Sequence, residues 1–518
     1  MSRFRNPILP GSHPDPSICR VGEDYYLATS TFEYFPGIAL HHSRDLVHWR
    51  AIGHALDRPS QLPLDGVRAS GGLYAPTLRY ANGLFYAVCT LVDGSGPSGN
   101  FVVTADDPAG AWSEPAWLSD APGFDPSLLF DDDGRVWLCG TFEPDPESRP
   151  GRTTVWLQEL DVPAMRLVGE RHLIWTGAAV DARWAEGPHV YRVGDLYYLL
   201  TAEGGTSFDH AVVVARSSSV TGPYEPCPRN PVLSARHLGP GTPIVGTGHA
   251  DLVELPDGSW WSVLLAMRPY PDGTGYIANQ GRETFLTPVE WHDGWPVFNP
   301  GHGRVLLDER RPPLPAHAWP VGPRGDSFDA SPLGPEWMTI RTPREQWWSL
   351  TDRPGHLRLR LRPETLADRA NPSFVGRRQE HRDFTAYTVV DVAPATENEA
   401  AGLAVVKSDA FHIRLEIFGG ADRGARLVSR RDGVDTVVAT VPVADGVVRL
   451  GVEARAQDYT FRIGDQTLAS VDGRILSSTV AGGFFGAVVG VHATSSGAPS
   501  TTVADFDWFE YAPITEPG

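Results

Sequence analysis

The sequence predicts an all-β protein: a five-bladed β-propeller followed by a C-terminal β-sandwich. Three observations carry that reading. One phrase is written five times, roughly every 50–64 residues. No long amphipathic helical pattern interrupts the first 310 residues. Beyond a Pro-rich stretch, the composition changes to a run of short alternating strands.

The phrase reads HPDPSICRVGEDYYLATST at 13–31, YAPTLRYANGLFYAVCT at 74–90 and FDPSLLFDDDGRVWLCG at 124–140. It returns as EGPHVYRVGDLYYLLTAEG at 186–204 and HADLVELPDGSWWSVLLAM at 249–267. Each copy is a small or acidic residue, a short apolar run, a turn containing Gly or Asp, then an aromatic-rich run. That pattern is a β-hairpin. The stretches ALHHSRDLVHWR (39–50), FVVTADDPAGAW (101–112) and AVVVARSSSVTGPY (211–224) supply outer strands. Hairpin plus outer strands makes a four-stranded blade, and radial closure of five blades removes exposed sheet edges without helices.

DERRPPLPAHAWPVGP (308–323) has the composition of a linker. The expected organisation is a catalytic propeller over 1–310, a linker over 311–323 and a lectin-like accessory sandwich over 324–518. Strands such as AYTVVDVAP, FHIRLEIFG and GGFFGAVVGVHAT make up the sandwich.

A formal charge of −19 argues against nucleic acid and anionic membranes as partners, because neither offers an electrostatic gain. Cys19, Cys89, Cys139 and Cys227 are too few and scattered for a disulfide scaffold, and no CxxC pair suggests zinc. MSRFRNPILPG carries no long apolar stretch, so a cytoplasmic protein is the expectation.

The five phrases place Asp15, Ala75, Asp125, Glu186 and Ala250 at one position. Equivalent positions of a radial array converge on one axis, so three carboxyls are expected around one cavity. An acid beside proline is commonly only a turn acceptor. Three at one radius repel one another, and that cost asks for a function. Glycoside hydrolysis needs such a set: one carboxyl protonated for the leaving group and one ionised to activate water. The pair stands about 6.5–9.5 Å apart in inverting enzymes. A third carboxylate keeps the acid protonated.

These phrases resemble the glycoside hydrolases of family 43, specifically the two-domain β-xylosidase branch. The likeness runs through residues 6–50, SGGLYAP (70–76), GFDPSLLFDDDG (123–134), WAEGPHVYRVGDLYYLLTAEGG (184–205), GHADLVE (248–254), GRETFLTPVEWHDGWP (281–296) and SFVGRRQEH (373–381). It implies that Asp15 is the general base, Asp125 the pKa modulator and Glu186 the general acid of an inverting enzyme. It implies substrate contacts from Phe32, Tyr74, His249 and Arg282. Tyr74 stands where the family more often has Trp, and Ala250 where its GHG-D motif has Gly. The resemblance also implies that a sandwich aromatic, Phe484 or Phe485, reaches the active-site mouth, and Phe484 is the expected one.

Some family members carry a structural calcium ion on the propeller axis. The chemistry itself requires no cofactor, and no metal ligands are assigned. For Arg282 the competing reading is a salt bridge to its neighbour Glu283, and for His249 a structural role. Residues 140–156 depart from the family pattern and border the aglycone side.

The activity expected is release of D-xylose from non-reducing ends of β-1,4-xylo-oligosaccharides. The alternative is an α-L-arabinofuranosidase or a dual-activity enzyme acting on arabinose-containing oligosaccharides. A non-catalytic carbohydrate-binding propeller has no use for an acid–base pair. Resembling enzymes form homo-dimers or homo-tetramers, and the same is expected here.

Overall fold

The computed structural model describes residues 2–147, 149–239, 241–320, 325–420 and 423–514. Residues 321–323 of the expected linker lie outside them, as do positions 324 and 515–518 of the expected sandwich. Position 148, within the divergent 140–156 segment, lies outside them too.

Five antiparallel sheets follow one another along the chain, and only Tyr34–Phe35, which pairs with the sandwich, interrupts the strand sequence of a blade. Blade I runs from Ser17–Val21 to Arg50–Leu56, and blade II from Gly72–Leu73 to Ala116–Trp117. Blade III runs from Phe124–Phe130 to Arg166–Trp175, and blade IV from Glu186–Val193 to Leu233–Ser234. Blade V runs from Val245–Glu254 to Trp295–Phe298. The turns follow local chemistry. Asn82 and Gly83, with φ of 53° and 84°, join two strands of blade II in the doubly left-handed turn that Asn-Gly favours.

The five apolar cores lie between blades. Leu40 and Ile38 pack with Leu78 and Val103 between blades I and II, and Val88 with Leu138 and Trp156 between II and III. Cys139 and Leu157 meet Val190 and Leu199 between III and IV, and Leu200 and Val214 meet Leu264 and Phe285 between IV and V. Ile18, Tyr25 and Leu27 meet Val253, Trp261 and Leu286, closing the ring between V and I. Middle strands pressed from both faces are therefore buried almost throughout, as Leu84–Val92 is. Arg3–Arg5 pairs with Asp308–Arg310 and ties the start of the propeller to its end.

An eight-stranded and a six-stranded antiparallel sheet form the sandwich, with one large core between them. Phe384–Val392 alternates between buried and half-buried residues along its length, the pattern of a strand with one face on a core. The sandwich docks on the propeller through an apolar cluster that includes Phe32, Tyr34, Met338, Ile340, Phe374 and Phe485. Thr339–Ile340 also pairs with Tyr34–Phe35 of the propeller. All four cysteines are buried free thiols, packed as small apolar groups. No helix among the described residues is long and apolar enough to cross a membrane.

Candidate active site

The strand register corrects the alignment of the five phrases by one residue. In blade III Phe124 faces Thr141 and Ser127 faces Cys139. In blade IV Glu186 faces Ala202 and His189 faces Leu200. In blade V Gly248 faces Leu265 and Asp251 faces Val263. Three residues of each first strand thus span two of its partner, which is a β-bulge. The true equivalents of Asp15 and Asp125 are Ala75, Gly187 and His249, not Glu186 and Ala250.

The bulge turns on a left-handed residue. Asp15, Asp125, Gly187 and His249 have φ of 55°, 53°, 58° and 49°. Three of the four are not glycine, so the strain is held in place by the surrounding sheet. At Gly187 a Cβ would stand 2.9 Å from the His249 ring, so that position must stay bare. Glu186 stands one residue earlier, at the position that Tyr74 fills in blade II and Phe124 in blade III.

Asp15 is 4% exposed and held on three sides. Ser30 Oγ donates to its Oδ2 at 2.6 Å, Arg282 Nη1 donates to its Oδ1 at 3.0 Å, and His249 Nδ1 stands 3.7 Å from Oδ1. Arg282 also donates to Thr206 Oγ1 at 3.2 Å, and its Nη2 has no protein partner. The competing pairing with Glu283 is not made: that carboxylate takes two bonds from Arg268, at 2.6 and 2.9 Å. Asp125 accepts from the Gly187 N–H at 3.1 Å.

Burial pushes the Glu186 carboxyl well above the ordinary range, and the charges of Asp125 and Asp15 push it further. Arg282 pulls the other way, while Glu143 of the 140–156 segment adds a smaller upward push. Asp125 is raised too, by burial first, with His249 opposing and Asp15 adding. The geometry therefore holds Asp15 against a guanidinium and Glu186 in a setting that favours its proton.

Aromatic rings wall the site. Phe32, in a left-handed conformation at φ 50°, has Tyr74 at 5.6 Å and Phe484 at 5.8 Å between ring centroids. Tyr74 in turn has Phe124 at 6.4 Å. Phe484 remains half-exposed at this wall, whereas Phe485 is buried in the domain interface 4.7 Å from Tyr34. The sandwich turn that carries them is bonded into the site. The Arg282 Nε donates to the Phe484 carbonyl at 2.9 Å, and the Phe484 N–H donates to Ser70 Oγ at 2.7 Å.

Sequence reading missed four of these contributors. Ser30, Ser70 and Thr206 carry no signal beyond being hydroxyls in loops or strand ends. Phe124 carried one, since it immediately precedes Asp125. In the 140–156 segment Glu143 accepts from the Gly151 N–H at 2.7 Å. Gly151 and Gly205 lie close over the Trp184 ring, which anchors this flank beside Glu186.

Below the acids the axis is filled by protein. Asp251, fully buried, takes Arg79 Nη1 at 2.9 Å and Nη2 at 3.2 Å, Tyr191 Oη at 2.5 Å and Ser17 Oγ at 2.7 Å. His189 Nδ1 faces the same guanidinium at 3.0 Å. Calcium takes six to eight oxygens. The Asp251 carboxylate is already saturated by protein donors and paired with a guanidinium, so the Asp251–Arg79 cluster itself does not fit that ion.

Comparison with known proteins agrees with this geometry. Residues 4–296 match the model of glycosyl hydrolases family 43, and residues 325–512 match the β-xylosidase C-terminal concanavalin A-like domain. The chain is 44% identical to the non-reducing end α-L-arabinofuranosidase BoGH43B of Bacteroides ovatus, over 98% of this chain and 94% of that protein. It is 42% identical to a xylosidase/arabinosidase of Butyrivibrio fibrisolvens, over 97% and 98%. A solved xylan β-1,4-xylosidase from Bacillus halodurans superposes with a TM-score of 0.92 at 36% identity, covering 98% of this chain and 100% of that one. The family model over residues 4–296 and the end-to-end relatives, in keeping with the propeller and docked sandwich, show that this chain belongs to glycosyl hydrolase family 43.

Proposed function

We propose that this glycoside hydrolase removes single pentose units from the non-reducing ends of arabinose- and xylose-containing oligosaccharides, with α-L-arabinofuranosides as the preferred substrates and β-xylosides as a second activity. The observation that carries the choice of pentose is end-to-end similarity to two relatives whose names include arabinosidase activity. It favours the alternative over the β-1,4-xylosidase expectation. The exo mode is supported by the Phe32, Tyr74 and Phe484 wall, which the sandwich turn closes on one side.

In this reading Glu186 gives its proton to the glycosidic oxygen as the bond to the anomeric carbon breaks. Asp15, paired with Arg282, takes a proton from the water that attacks the opposite face, so the anomeric centre inverts. Asp125 acts through its charge, making ionisation of Glu186 costly. The unpaired Arg282 Nη2 is free to donate to a sugar hydroxyl.

Parallel assays on p-nitrophenyl α-L-arabinofuranoside, p-nitrophenyl β-D-xylopyranoside and xylobiose test the proposal. A higher kcat/KM on the arabinofuranoside supports it. A preference for both xylosides returns the β-xylosidase reading, and no turnover on any of the three removes both.

A further inference from the structure

Behind the segment that carries Asp15 lies a second polar cavity, of about 80 Å³, between blade I and the sandwich. His13, His41, His54 and Arg378 line it, and each is at least nine-tenths buried, at 7%, 5%, 8% and 5% exposure. His13 and His41 meet edge to face, 4.9 Å between ring centroids. Four of their nitrogens have no protein partner: His13 Nδ1, His41 Nδ1, His54 Nε2 and Arg378 Nη2. Buried polar atoms are nearly always bonded, so four orphans around one cavity mark a missing partner.

The chemistry of that partner follows from the donors. Arg378 is a buried cation with no carboxylate within 4.0 Å among the described residues. Its Nε is spent on the Ser12 carbonyl, at 2.7 Å, and its face lies over the Phe485 ring at 5.4 Å. Glu336 and Glu380 also border the cavity, but neither bonds any of the four orphaned nitrogens. Glu380 Oε1 accepts from Arg377 instead, at 3.4 Å. A buried charge without a counter-ion is strongly unfavourable. A neutral imidazole can turn one N–H toward an acceptor. The space admits a monatomic ion with a water, and is too small for a sugar.

We propose that this cavity is a binding site for a small monovalent inorganic anion of halide type, held by Arg378 Nη2 and the three imidazoles. Occupancy bears on the active site through one segment, residues 12–15. Arg378 fixes the Ser12 carbonyl, and Ser12 Oγ accepts from the Gly486 N–H at 2.9 Å, joining the sandwich turn to the segment that ends in Asp15. The anion would stiffen this joint without touching substrate.

The test uses the full-length protein, freed of halide and held at constant ionic strength while sodium bromide replaces sodium gluconate. Crystals soaked in bromide are expected to show one anomalous peak between Arg378 Nη2 and His54 Nε2. In solution Tm is expected to rise saturably with bromide. Arg378→Met should abolish the rise. In case that variant fails to fold, His54→Asn should raise the half-saturating bromide concentration roughly tenfold. Water without anomalous signal in the cavity, or equal Tm in bromide and gluconate, overturns the proposal. So does a peak with no saturable response in Tm, which marks an adventitious ion only.

Discussion

Arg282 of the propeller and Phe484 of the sandwich share a hydrogen bond, Nε to the main-chain carbonyl at 2.9 Å, while the same guanidinium holds Asp15 at 3.0 Å. The orientation of the candidate base is thus set partly by a residue of the other domain. Arg282→Lys keeps a charge but cannot keep both directions of the planar fork. We expect it to lower kcat/KM about 10²-fold while Tm changes little, with steady-state kinetics and a thermal melt as the check.

Glu186→Gln and Asp15→Asn should both fold and lose activity, but differently. Loss of a general acid costs about 10²–10⁴-fold on a poor leaving group and little on a good one. Activity of Glu186→Gln should therefore recover as the leaving-group pKa falls, and that of Asp15→Asn should not. Equal slopes of log kcat against leaving-group pKa would reverse or remove the assignment.

The Glu186 carboxyl is raised in the folded state, so the folded protein holds this proton to higher pH than the unfolded chain does. Its stabilising contribution is complete below the ordinary carboxyl range and is lost as pH rises through the raised value. Asp125, also raised, acts with the same sign. Buried histidines such as His41 and His54, held neutral by burial, act with the opposite sign in both proteins, so the comparison isolates Glu186: relative to Glu186→Gln, the wild type should lose stability as pH climbs from about 4.5 toward neutrality. At neutral pH the Gln variant should melt roughly 2–4 °C above wild type. A Tm–pH profile of each protein reads this directly.

Lys407, only 4% exposed, donates its Nζ to the Phe485 carbonyl and, at 3.0 Å, to Ser478 Oγ. It clamps the turn that carries Phe484 without touching the sugar site. Lys407→Met leaves that carbonyl buried and unbonded, a cost of about 1–3 kcal/mol. The expected result is a KM raised several-fold with a smaller change in kcat. Combined with Phe484→Ala, the second substitution should add little, and a double-mutant cycle in kcat/KM measures that coupling.

The architecture was legible because the five phrases repeat a hairpin and the second half alternates with period two. The repeat also drew attention to Asp15, Asp125 and Glu186 as acids at the start of its first strands. Their register was misread. The same bulge sits in blades III, IV and V and shifts nothing between them; Glu186 was aligned where Gly187 stands because acid was matched to acid, while Pro126 and Pro188 mark Asp125 and Gly187 as the equivalents. The partner of Arg282 was hidden in another way. Neighbours on a strand point to opposite faces, and Glu283 turns away to Arg268 while Arg282 faces the axis. Lys407 and Arg378 carry no local pattern at all. Each matters only through a contact with residues far away in the chain.

The sandwich turn at 484–486 meets Ser12, Ser70 and Arg282, so the site region joins residues more than 200 positions apart in the chain. That has a consequence for biosynthesis. A ribosome that has completed all five blades has made every axial carboxyl, yet the wall beside Phe32 and the second anchor of Arg282 are still untranslated. Messages cut short before Phe484 would yield chains that lack a finished pocket, which is complete only once translation has passed the 484–486 turn.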